Sequence, residues 1–226
     1  MDGGVMSGLL DVGAAVERIE ALSAELAERS GGRTRLLPVT KALPVAAVEA
    51  VRRAGLREVG ENYAQELLAK HGDPVGGGVG DMSWHMIGRL QRNKVRRLAG
   101  IVALWQTVDR IEVLDEIARR EPSASVLVQV DAVMLSGRGG CPPGEVEGLV
   151  AHGLDLGLDV RGLMTVGAPD DAGATQRGFT TVAGMAERMG LPELSMGMTD
   201  DLEIAIDCGS TLVRVGRALF GERPSA

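Results

Sequence analysis

Aromatic residues are nearly missing from this chain: two Trp, two Phe and one Tyr in 226 residues. Chemistry that needs a phenol has one place to find it, Tyr63. Cysteine is almost as scarce. Cys141 and Cys208 lie far apart with no CxxC or Cys/His spacing, and there are only three histidines, which argues against a zinc site or a disulfide framework. No stretch approaches the roughly 18 uninterrupted apolar residues of a membrane span. A basic surplus is also lacking: the formal net charge of −7 disfavours a general binder of nucleic acid or anionic membrane. The opening "MDGGVMSGLL" has an acid and glycines where a signal peptide is basic, so the expected location is cytoplasmic.

What remains is an ordinary globular mixture, 45% apolar and 24% charged. Residues 9–29 repeat apolar positions at helical spacing and stop at Gly31-Gly32, which predicts an N-terminal helix. Short apolar runs then alternate with helical patterns. The runs are 36–40, 58–60, 84–87, 101–108, 125–131, 160–166, 193–196 and 212–215. The helical patterns are 44–54, 61–70, 89–98, 110–119, 143–152, 172–189, 200–207 and 217–220. Such alternation implies parallel strands with helical crossovers. Eight units in this length predict a closed (β/α)8 TIM barrel with an extra N-terminal helix; an open doubly wound sheet is the alternative. No linker interrupts the pattern, so residues 1–226 are expected to form a single domain. Stretches 71–82 and 134–145 read as glycine-rich surface loops.

A barrel gathers functional groups at the carboxyl ends of its strands, with phosphate often seated after strands seven and eight. Lys41 ends the first run, either as a solvated loop charge or as an amine at a site mouth. After run seven, "LSMGMTDD" offers the Ser195 hydroxyl and the flexible Gly197 backbone to an anion. Thr199 reads as an N-cap with Asp200 and Asp201 in the first helical turn. After run eight, Gly216 and Arg217 open a short helix with no acid in its first turn, a phosphate seat. Arg214 reads equally as a salt-bridged barrel arginine or as a cation that lowers the pKa of a lysine, and a lysine so tuned forms an imine with an aldehyde or ketone. Asn62 reads equally as a ligand contact or an N-cap, and His85 as a core or rim histidine first and as a ligand contact second. The basic run 89–97 carries an apolar stripe, Leu90, Val95 and Leu98, so its charges belong to a solvated helix face.

The motifs "VTKALP", "VGENYAQE", "WHMIGRLQRNK", "VRGLMTVGAP", "LSMGMTDDLEIAI" and "LVRVGRALFGER" resemble, in order, those of the YggS/PROSC family of pyridoxal 5′-phosphate-binding proteins. The resemblance implies the barrel of the alanine racemase N-terminal domain, pyridoxal 5′-phosphate held as an imine, and a role in vitamin B6 homeostasis. It implies Lys41 as the imine lysine and Asn62 beside the cofactor. Ser195, Met196, Gly197, Gly216 and Arg217 would hold the phosphate, Arg214 would approach the pyridine nitrogen, and His85 and Met164 would border the pocket. Two positions depart from the family: Arg217 stands where Thr or Ser is usual, and Arg138 where a lysine is usual.

Racemases of this fold use the lysine and a tyrosine from a second domain. With no room for that domain, the chain is expected to carry and deliver cofactor with little or no turnover. Its partners would be pyridoxal phosphate itself and the apoenzymes that require it, and it would be a monomer. The alternatives are weak racemase or transaminase-like activity, or a Schiff-base aldolase.

Overall fold

The computed structural model describes residues 10–73, 81–134 and 139–221. The opening stretch, most of the first glycine-rich loop and Arg138 lie outside the described residues. Helix α1 (Val12–Ser30) precedes β1 (Arg35–Pro38) and α2 (Ala46–Arg53). Then come β2 (Glu58–Glu61) and α3 (Ala64–His71), β3 (Ser83–Met86) and α4 (Arg92–Leu98). β4 (Val102–Val108) leads to α5 (Ile111–Arg120), and β5 (Ser125–Gln129) to α6 (Val146–Asp155) through a 3-10 turn, Pro143–Glu145. β6 (Asp159–Met164), α7 (Ala172–Met189), β7 (Glu193–Ser195), α8 (Leu202–Asp207), β8 (Leu212–Val215) and α9 (Arg217–Phe220) complete the order.

The strands pair in parallel from β2 through β8 and on to β1. The ring closes where Val39 bridges Gly60 and the Thr40 N–H donates to the Gly60 carbonyl at 3.1 Å. With neighbours on both sides of β1, the sheet is a (β/α)8 barrel and not an open doubly wound sheet. These strands are covered on both faces, which is why they read as continuous apolar runs instead of alternating ones. In α5, Val113, Leu114 and Ile117 form a fully buried apolar stripe, while Ile111 is half-exposed. Most of the core lies in this outer layer. Inside the ring the apolar cluster is small, Leu104, Leu127 and Met164. Polar side chains share this interior, among them His85, Gln106, Ser195 and Arg214.

Helix α1 docks on the barrel itself. Asp11 caps it by accepting the Ala14 N–H at 3.0 Å, and Gly31 ends it at φ 61°, a left-handed angle that glycine adopts without strain. Ala15, Ile19 and Leu26 are buried against α2, β1 and α9. Arg18 Nε donates to the Leu219 carbonyl at 2.6 Å. The helix after β8 has only four residues, and α1 covers the wall it leaves short. Burying Ile19 and Leu26 contributes about 1.5–3 kcal/mol each.

Two helix starts differ from the expectation. α8 begins at Leu202 with Asp201 at its N-cap, so Asp200 and Asp201 precede the first turn. Asp201 turns its carboxylate onto the Met198 N–H, which holds the loop back from helical geometry. α3 begins at Ala64 with Tyr63 at its cap, so Asn62 is not the N-cap residue. In α4, Val95 and Leu98 are buried while Arg92, Arg96 and Arg97 face solvent. Among the described residues no helix is long and apolar enough to cross a membrane.

Candidate functional site

A cavity of about 600 Å³ opens at the carboxyl ends of the strands. Lys41 enters it after β1, Asn62 after β2 and Ile87 after β3. Met164 ends β6, Thr199 and Asp200 follow β7, and Arg214, Gly216 and Arg217 come from β8 and the turn beyond. Of the ten residues singled out in the sequence, six line this cavity: Lys41, Asn62, Met164, Arg214, Gly216 and Arg217. Two glycines permit the approach of its walls. A Cβ on Gly88 would stand 1.9 Å from the Asn62 carbonyl oxygen, and one on Gly216 would stand 3.1 Å from that of Val39.

Ser195, Met196, Gly197 and His85 are not part of the wall. Met196 is buried in the core and gives its N–H to the Leu212 carbonyl at 3.2 Å. Gly197, at φ 101°, packs its Cα toward Ala205. Its carbonyl accepts the Arg214 N–H at 2.9 Å. The Ser195 hydroxyl is wholly buried beneath the cavity, accepting from Arg214 Nη1 and donating to Gln106 Oε1, both at 2.6 Å. The hydroxyl that the β7 loop contributes to the wall is that of Thr199. In the sequence Thr199 reads as a helix cap. The spacing of Ser195 and Thr199 carried no sign of which one would clear the strand end.

Gln106, unmarked in the sequence, joins two of these residues. Its Oε1 is taken by Ser195, so its amide nitrogen donates to His85 Nδ1 at 2.8 Å. That leaves the neutral imidazole's proton on Nε2, which faces Glu58 at 3.8 Å. A single direction of donation thus runs from Arg214 through Ser195 and Gln106 to His85, across the barrel interior. Burial drops the His85 pKa to about 4, against a partly offsetting pull from the Glu58 carboxylate. Burial also lowers Arg214 to about 10, with Asp201 opposing. Its guanidinium still carries charge at neutral pH, and its Nη2 is anchored on the Thr165 carbonyl at 2.8 Å.

Among the described residues the wall presents three cationic side chains, Lys41, Arg214 and Arg217, and one carboxylate, Asp200, to which Arg217 is ion-paired. Such a balance favours an anionic ligand, and an amine at the mouth suits a carbonyl group on it. Tyr63 is half-exposed and outside this wall. Among the described residues no group of His, Cys, Asp and Glu could hold a metal ion.

Residues 15–224 match the family model of the alanine racemase N-terminal domain. The chain is 37% identical over 213 residues to a pyridoxal phosphate homeostasis protein of Pseudomonas aeruginosa, covering 89% of this chain and 90% of that one. A solved structure of PipY from Synechococcus elongatus with pyridoxal phosphate bound superposes with a TM-score of 0.78 at 30% identity, covering 92% of this chain and all of that one. Alanine racemase from Streptomyces coelicolor gives 0.76 at 26% identity, over 96% of this chain but 60% of the racemase.

Proposed function

We propose that this chain, which belongs to the YggS/PROSC family and carries the alanine racemase N-terminal domain, binds pyridoxal 5′-phosphate in the barrel-mouth cavity and serves pyridoxal phosphate homeostasis. The observation that carries the reading is one cavity bounded by an amine on the β1 side and by the glycine turn and cations on the β8 side. The residues fit the group. A cavity of about 600 Å³ is ample for a ring of this size, and Lys41, Arg214 and Gly216 offer the amine, the cation and the close backbone approach that it calls for. When bound, pyridoxal 5′-phosphate supplies an aldehyde with which an amine can condense, losing water.

In this reading Lys41 holds the ligand covalently. The N–H groups of the Gly216–Arg217 turn, with the Thr199 hydroxyl, hold the phosphate in place of the Ser195 side chain. Arg214 approaches the ring nitrogen as a hydrogen-bond donor that stays charged, so it leaves that nitrogen unprotonated. Asn62 and Met164 border the ring. Ser195 and Gln106 act one layer below by fixing the guanidinium. Met196 and Gly197 supply the backbone on which that layer rests.

Racemization requires a second base on the ring face opposite the lysine. The chain's one tyrosine lies outside the cavity wall, which supports holding and delivery with little turnover. Such a role calls for a cytoplasmic monomer able to meet pyridoxal phosphate-requiring apoenzymes. The test is the absorbance of the protein with pyridoxal 5′-phosphate before and after borohydride, with peptide mass mapping and Lys41→Ala alongside. We expect a visible band, reduced onto Lys41 and absent in the variant. A protein that stays colourless after incubation with the ligand would defeat the reading.

A further inference from the structure

The main chain is gripped on both sides of Lys41, and neither grip belongs to the cavity wall. On one side, Thr40 is fully buried. Its carbonyl accepts from Lys70 Nζ at 2.7 Å, and its hydroxyl donates to Glu61 Oε1 at 2.6 Å. Lys70 Nζ also meets Glu61 Oε1 at 2.6 Å, so the three groups form a closed triangle. On the other side, the Ala42 N–H donates to Glu66 Oε2 at 2.7 Å. Ala42 has φ 58°, a left-handed angle that a residue with a Cβ resists. Glu66 and Lys70 are one helical turn apart on α3 and 3.8 Å from each other.

Glu61 and Lys70 are 0% and 7% exposed. Burying such an ion pair is costly, and two apolar side chains of similar size would often hold a helix to a barrel at least as well. The bonds described for the Lys70 ammonium go to Glu61, Glu66 and Thr40, the residue before Lys41. Glu61 Oε2 is buried with no partner among the described residues. The pair is therefore poorly explained as glue for α3, and well explained as a brace on one peptide.

We propose that Glu61, Lys70 and Glu66 are positioning residues that fix the backbone on either side of Lys41. They set where its amine stands relative to a ligand whose phosphate is anchored at the neighbouring ends of β7 and β8. This rests on the reading of Lys41 as the covalent anchor. A side chain of four methylenes reaches in many directions, and holding residues 40 and 42 restricts its starting point and heading. The brace should act on the covalent linkage and leave the rest of the binding untouched.

The experiment compares two ligands that differ at one group, pyridoxal 5′-phosphate and pyridoxine 5′-phosphate, whose alcohol replaces the aldehyde and cannot link to an amine. Affinities for both are measured on the whole chain and on Glu66→Ala, Lys70→Met and Lys70→Arg. Glu66 is one-third exposed, so Glu66→Ala tests the proposal even if Lys70→Met fails to fold. We expect Glu66→Ala and Lys70→Met to reduce the advantage of the aldehyde over the alcohol about tenfold, the scale of one charge-assisted hydrogen bond. Lys70→Arg should recover most of it, and the alcohol should bind all forms within about twofold, equal binding meaning an intact pocket. An unchanged advantage in Glu66→Ala, or equal weakening of both ligands, would overturn the brace while leaving Lys41 as the anchor. No advantage in the unaltered chain would overturn both.

Discussion

Replacing His85 by Gln should flatten a defined part of the acid sensitivity of the fold. His85 is 3% exposed, and burial drops its pKa from 6.5 to about 4. Arg35 and Arg161 push it the same way and Glu58 opposes them. Below pH 6.5 the unfolded chain therefore takes up a proton that the folded chain refuses until about pH 4. The stability linked to this group is complete above pH 6.5 and is lost as the pH falls through about 4. At about 1.36 kcal/mol per pH unit, the loss amounts to about 3 kcal/mol. Gln can accept from Gln106 where His85 Nδ1 does, so the fold should survive the exchange. Urea denaturation at intervals between pH 7 and 4 gives the comparison, and the unaltered chain should lose about 3 kcal/mol more than His85→Gln. Glu61, whose carboxyl is pushed up by burial, works in the opposite direction, but it is present in both proteins and cancels. Parallel curves for the two proteins would refute the argument, and with it the neutral imidazole at the end of the Arg214 chain.

Two further substitutions test the walls of the cavity. Gly88→Ala puts a methyl group 1.9 Å from the Asn62 carbonyl oxygen. Thermal denaturation should show a loss of about 1–3 kcal/mol, and calorimetry should show weaker binding of pyridoxal 5′-phosphate as Asn62 is displaced. Asp200→Asn removes the carboxylate from the cavity wall and frees Arg217. Both side chains are more than half exposed, so the melting temperature should hardly move. Affinity for the dianionic phosphate should rise about two- to fivefold at low salt, with the gain shrinking toward 1 M salt.

Much of the barrel was legible because its parallel strands are covered on both faces. Leu36–Pro38 and Val126–Val128 had to be apolar throughout, and they stood out as uninterrupted runs between helical patterns. Lys41 was legible for a related reason: a charge that ends an apolar run must lie at a strand terminus. Asn62, Gly216 and Arg217 followed from the same logic. The β7 exit was not legible. Ser195 and Thr199 are both small hydroxyls in one loop, and only the path of the chain past Gly197 sends one below the cavity and the other into its wall. The reach of α8 was overestimated because Asp201 bonds back to Met198, a choice that depends on the loop already being folded.

Composition and pattern by themselves determined the alternation of strands and helices, the terminal helix with its glycine stop, and the amine at the end of β1. Those features depend on how each short segment meets water, which its own residues dictate. The tertiary structure alone decided the partnerships. Gln106 lies 89 positions from Ser195, and Lys70 lies 30 from the Thr40 carbonyl that it braces. A lone polar residue in an apolar run carries no mark of its partner. The closed fold brings Gln106 of β4 to Ser195 of β7 and Lys70 of α3 to the Thr40 carbonyl after β1, and there the cost of burying an unpaired polar group selects which side chains meet.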